Sequence, residues 1–85
     1  MRVQTTSRFD RDYARLPLQV QERTNKQLAL LLSDPRHPSL RIEKAEGYSE
    51  IWKGRISRDY RFTFTIDGDT YILRRVGSHE IYRNP

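Results

Sequence analysis

The sequence predicts a single α+β domain over residues 1–85, in the order β-α-α-β-β-β, with a helical hairpin packed on one face of an antiparallel sheet. Two observations carry this prediction. Apolar residues recur with helical spacing before Asp34-Pro35-Arg36-His37-Pro38-Ser39 and with a period of two after it. An Asp67-Gly68 pair then sits between two alternating runs, which is a hairpin signal.

Taken in order, Arg2 to Thr6 alternates and is β-prone, which predicts an initial strand. Thr6 or Ser7 supplies the cap of a first helix whose Phe9, Tyr13 and Leu16 fall at i, i+4 and i+7. Pro17 suits the first turn of a second helix. That helix sets Val20, Thr24, Leu28 and Leu31 on one stripe with Leu32 alongside, and Gln19, Glu22, Arg23, Lys26 and Gln27 toward water. It should end near Ser33, because Asp34 precedes a proline. Leu40 to Lys44 is a candidate further strand, broken by Gly47. In Glu50 to Ser57, Trp52, Gly54 and Ile56 share one face and Lys53 and Arg55 the other. In Tyr60 to Ile66 the apolar residues are the even ones, and the last strand runs from Thr70 to Val76.

Composition narrows the function. The chain carries 16 Lys+Arg against 11 Asp+Glu, a formal net charge of +5, and no cysteine. A positive balance of this kind points to a polyanionic target, most often nucleic acid. A chain this short has a modest core and no disulfides, so its stability rests either on one compact core or on a partner chain that covers the remainder. The longest apolar run, Leu28 to Leu32, is far below the roughly 20 residues that span a bilayer, and Met1-Arg2-Val3-Gln4 begins no secretory pattern. A cytoplasmic protein without membrane contact is the expectation. Phosphate-loop, dinucleotide, zinc and nucleophile-elbow motifs are missing, and with two histidines neither a metal nor another cofactor is expected.

What remains is a set of cations on the strands: Lys53, Arg55, Arg61 and one or both of Arg74 and Arg75, followed by His79 and Tyr82. Metal-free RNA cleavage needs little more. The substrate's own 2′-hydroxyl attacks the adjacent phosphate, so the protein must supply a base, cationic donors for the phosphorane, and an acid for the departing 5′ oxygen. Arginine's planar fork suits the second role. His79 suits the third, and Tyr82 suits base stacking or proton transfer. Glu43, Glu46 and Glu50 are the candidate bases. The plainer reading is a solvated cationic face, with Arg55 and Arg61 paired across strands to Glu50 or Asp59.

Four segments together, Phe9 to Pro17, Asp34 to Leu40, Ile51 to Arg61 (IWKGRISRDYR) and Val76 to Tyr82 (VGSHEIY), resemble the RelE/ParE superfamily of toxin-antitoxin toxins over almost the whole chain. The resemblance implies a compact β-α-α-β-β-β fold and a cognate antitoxin that wraps and neutralises the toxin. For RelE-like members it implies endoribonuclease cleavage of mRNA in the ribosomal A site, which makes ribosome and mRNA partners. ParE-like members instead inhibit DNA gyrase without catalysis, and that is the alternative. Trp52, Arg55, Arg61 and His79 look like the YoeB branch, with Arg61 at its phosphate-binding arginine and His79 at its C-terminal catalytic histidine. Lys53 matches a RelE strand lysine, and Tyr82 resembles RelE's C-terminal tyrosine. Glu46 is the chosen counterpart of the catalytic glutamate; Lys53, Arg55, Arg74 and Arg75 are the expected substrate-binding cations. Glu80 stands where YoeB-like toxins have a tyrosine, and Gly54 leaves a gap in the cationic row.

Overall fold

A computed structural model describes residues Met1–Pro85. The elements are β1 (Arg2–Thr5), α1 (Ser7–Ala14), α2 (Leu18–Ser33), a 3₁₀ turn at Pro38–Leu40, β2 (Glu43–Lys44), β3 (Trp52–Arg55), β4 (Arg61–Asp67), β5 (Thr70–Gly77) and a C-terminal 3₁₀ helix at His79–Arg83. No helix is long and apolar enough to cross a membrane.

Thr6, not Ser7, caps α1. Its hydroxyl accepts from Phe9 N–H at 3.1 Å and donates to the Leu73 carbonyl at 2.9 Å, so one side chain starts the helix and ties it to β5. Pro17 lies one residue before α2, where its carbonyl accepts from the Val20 and Gln21 amides. The expected stripe holds for Thr24 and Leu31, which are buried, whereas Leu32 is 44% exposed. Gln27, expected in water, is buried as well. Its side-chain nitrogen donates to the Arg55 carbonyl at 3.0 Å, so this helix face docks on the end of β3 through a hydrogen bond.

The sheet has the order β1-β5-β4-β3-β2. The β2 to β5 portion is the expected antiparallel meander, but β1 lies parallel to β5 and makes the sheet mixed. Parallel pairing follows from the connection: β1 and β5 are not joined by a hairpin, and the two helices lie between β1 and the meander. The β4–β5 loop is Gly68-Asp69, one residue later than expected, because Asp67 pairs with Thr70. Gly68 takes a positive φ of 59°, which suits the first central position of a tight hairpin.

Phe9, Leu31, Leu40, Ile56, Phe62, Phe64, Tyr71, Leu73 and Val76 form the core between helices and sheet, with Trp52 and Tyr60 packed at its margin. Gly54 belongs to this core side rather than to the cationic row. It pairs with Phe62, and a Cβ at Gly54 would overlap the edge of the Phe62 ring, so glycine is what lets that ring lie flat against β3. At the outer end of β5, Asp12 accepts from Arg75 Nε at 2.6 Å, from Arg75 Nη2 at 3.2 Å and from the Val76 amide at 3.2 Å.

Two stability changes follow. Gly54→Ala should cost about 1–3 kcal/mol through overpacking against the buried Phe62 ring, and Phe62→Leu in the same chain should recover part of that loss; urea unfolding midpoints give both values. Asp12→Ala should cost about 2–3 kcal/mol, because it strands both a guanidinium and a strand amide, measured in the same way.

Candidate functional site

Register places the site. Glu43, Lys53, Thr63 and Arg75 form one row across the sheet, and Arg55, Arg61 and Gly77 form the next. Paired positions, and residues two apart on a strand, share a face. Lys53, Arg55 and Arg61 therefore leave the sheet on the side opposite Phe62 and Phe64. The C-terminal 3₁₀ helix follows directly on β5. Buried Ile81 lies so near the end of β5 that a Cβ at Gly77 would stand 2.9 Å from it, and this close seat holds Tyr82 over the cations.

The result is a cavity of about 290 Å³ lined by Arg41, Lys53, Arg55, Arg61 and Tyr82, with Glu43 as its one carboxylate. Lys53 Nζ is 3.1 Å from Glu43 Oε1 and 5.0 Å from the centroid of the Tyr82 ring, a cation held between a carboxylate and a π face. Arg61 Nη1 donates to the carbonyls of Ser57 (2.6 Å), Arg58 (3.0 Å) and Tyr60 (2.9 Å). Arg55 Nε donates to the Ser57 carbonyl at 3.3 Å. These partners are neutral, so they fix the arginines without cancelling their charge. Desolvation, with the neighbouring charges of Arg41, Arg61 and Arg58, lowers the pKa of Arg55; the guanidinium stays charged, and the direction marks crowded like charge.

Tyr82 responds to the same surroundings. Burial pushes its hydroxyl above the ordinary phenol range, with Lys53 and Arg61 pulling the other way and Glu43 adding to the rise. At neutral pH it is a protonated O–H, suited to donating rather than accepting a proton.

The other expected site residues do not line this cavity. Glu46 lines an adjoining cavity of about 250 Å³ with Tyr48, Lys53 and Tyr82. His79 is the exposed first residue of the C-terminal 3₁₀ helix and lines neither cavity. Arg75 is held by Asp12 and also donates to the Asn84 carbonyl at 3.1 Å. Arg74 is the extra residue of a bulge in β5, because Thr63 pairs with Arg75 and Phe64 with Leu73; its Nε donates to the Pro85 carbonyl at 3.0 Å. Arg41 had no role in the sequence reading. It follows buried Leu40 and adopts left-handed backbone angles (φ 46°, ψ 49°), which no periodicity reveals. Glu43, one of three candidate bases, is the one whose pairing with Lys53 brings it to the cavity.

No family model and no curated protein matches the sequence. Solved structures do match. A YoeB/ParE toxin from Agrobacterium tumefaciens aligns over 93% of this chain and 99% of its own, with a TM-score of 0.77 and 20% identity. A mutant toxin from Helicobacter pylori aligns over 94% and 96%, with a TM-score of 0.78 and 21% identity. The chain has the RelE/ParE toxin fold. The RelB–RelE antitoxin-toxin complex from Methanococcus jannaschii gives a TM-score of 0.74 at 22% identity over 94% of each chain. At these identities the likeness is one of backbone path, and the cleft on the RelE-like sheet rests on this chain's own side chains.

Tyr82 provides a check on that cleft. Its raised pKa means that the folded state holds the phenolic proton more tightly than the unfolded chain. The associated stability is complete below the unfolded value near 10 and is lost as pH rises through the folded value. Thermal unfolding from pH 8 to 11 should therefore show a steeper alkaline loss in the wild type than in Tyr82→Phe. Equal slopes would mean that Tyr82 is not buried in the cleft.

Proposed function

We propose that the protein is the toxin of a toxin-antitoxin pair and an endoribonuclease that cuts mRNA in the ribosomal A site, inhibiting translation. The observation that carries this reading is that Lys53, Arg55 and Arg61 line one cavity with a protonated Tyr82 and a single carboxylate. The fold of RelE-like toxins supports it, and structural neighbours include toxins solved with their antitoxins, RelB–RelE and DinJ–YafQ.

In this reading Glu43 takes the proton of the 2′-hydroxyl as O2′ attacks phosphorus. Arg61 and Arg55 hold the two extra-charged oxygens of the phosphorane. Tyr82 gives its proton to O5′ as the P–O5′ bond breaks, leaving a 2′,3′-cyclic phosphate and a 5′-hydroxyl end. The proposal moves the base from Glu46 to Glu43 and the acid from His79 to Tyr82, because those two side chains share the cavity with Arg61. A site of so few groups depends on its target to arrive oriented, which is what a translating ribosome provides. The antitoxin would place acidic residues over the cleft, since uncompensated cations are what it must silence.

Mapping mRNA 5′ ends in a cell-free translation reaction tests this. New ends inside codons, present only while ribosomes translate, are the expected result. Arg61→Ala should reduce cleavage by about 10²-fold or more and Tyr82→Phe by at least about 10-fold, while His79→Ala leaves it nearly unchanged. Absence of new ends together with inhibition of gyrase supercoiling by the folded protein would replace this reading with a ParE-like, non-enzymatic one.

A further inference from the structure

Beside the cleft lies a second and larger cavity, of about 460 Å³. Its wall holds four arginines: Arg23 from α2, Arg41 after the Pro38–Leu40 turn, Arg55 at the end of β3, and Arg58 in the β3–β4 turn. Ser39 and Ser57 add hydroxyls, and neither a carboxylate nor an aromatic ring lines it. Arg23 is aimed by its own Nε, which donates to the Ile56 carbonyl at 3.1 Å. Arg58 makes no side-chain hydrogen bond or ion pair within the chain, although its backbone carbonyl helps hold Arg61.

Four guanidinium groups converging without a counter-charge repel one another, so the fold tolerates them against its own stability. Arg41 also sits in the left-handed region, uncommon for a residue with a Cβ. Arg41 and Arg55 line both this cavity and the cleft, making one cationic track rather than two isolated sites.

We infer that the four-arginine cavity binds a backbone phosphate of the same RNA strand whose scissile phosphate lies in the cleft. The inference rests on the RNA-cleaving reading for the identity of the strand. Three features favour a nucleic-acid backbone over an acidic protein segment. Ile56 is the one hydrophobic residue of the lining and is itself fully buried, the volume exceeds what one carboxylate fills, and the cavity shares arginines with the cleft. Without an aromatic ring it stacks no base. Its hold is therefore independent of base identity and sensitive to salt.

The experiment is binding of fluorescein-labelled 2′-O-methyl oligoribonucleotides, three and six nucleotides long, to the purified protein across a salt series. These probes have no 2′-hydroxyl and cannot be cut. The six-mer should bind severalfold tighter than the three-mer. Its salt slope (log Kd against log salt) should fall by about 0.7 to 1 in Arg58→Gln and further in the Arg23→Gln/Arg58→Gln double variant, with the length advantage lost. Arg58→Lys should keep most of the slope. Circular dichroism guards against misfolding, and Arg58→Gln alone suffices should loss of the Arg23–Ile56 bond unsettle the double variant. Unchanged slope and length advantage in Arg58→Gln would overturn the inference. So would a glutamate-rich peptide whose binding needs Arg58 while the six-mer's does not, because the cavity would then take a protein carboxylate. Cleavage without an Arg58 effect on binding sinks this inference alone; Arg58-dependent binding without cleavage sinks the catalytic reading and leaves the cavity an RNA phosphate site.

Discussion

The far end of β5 is the point on which the molecule turns. β1 pairs with β5 only as far as Leu73, and beyond it the edge of β5 would expose backbone groups with no strand beside them. Two side chains close that edge. The Thr6 hydroxyl donates to the Leu73 carbonyl, and the Asp12 carboxylate accepts from the Val76 amide while gripping Arg75. With the edge satisfied, β5 continues to Gly77 and hands the chain to the 3₁₀ helix that places Tyr82 over Lys53. An interaction on the helix side thus sets where a side chain sits on the other face.

The same strand explains how the cations divide. Arg61, Lys53 and Arg55 stay on the open face by simple alternation, and the sequence reveals them for that reason. The bulge at Arg74 breaks the alternation. It leaves one of two adjacent arginines exposed and sends the other to Asp12, a partner 63 residues earlier that no local pattern announces.

Elsewhere the division between legible and hidden follows the same physics. The helices, the meander and most of the core were readable because apolar spacing and burial are one phenomenon on an amphipathic element. Gln27 was misread because an amide scores as polar, yet here it is buried with its hydrogen bond made at the Arg55 carbonyl. Gly54 read as a missing cation because the comparison was with a row of charges; its pairing with Phe62 assigns it to packing. The parallel pairing of β1 depends on the path of two helices. That Glu43, and not Glu46, lines the cavity with Arg61 depends on a two-residue strand and a left-handed turn, neither of which has a sequence period. His79 was singled out by its titration chemistry and by its likeness to the C-terminal histidine of YoeB-like toxins, and neither signal carries the distance between the start of the 3₁₀ helix and the cavity that Tyr82 lines.

The β3–β4 turn has a consequence for how the site can vary. Arg23, Arg55 and Arg61 all donate to carbonyls between Ile56 and Tyr60, which the Ile56 and Ser57 amides hold closed on the Tyr60 carbonyl. One short loop is therefore a common footing for side chains from three different elements. Energies of groups that share a footing do not add: loosening any one arginine loosens the loop that orients the other two. Along a line of descent such a surface changes in concerted steps, since a new residue at one of these positions is judged against a loop that the others have already shaped.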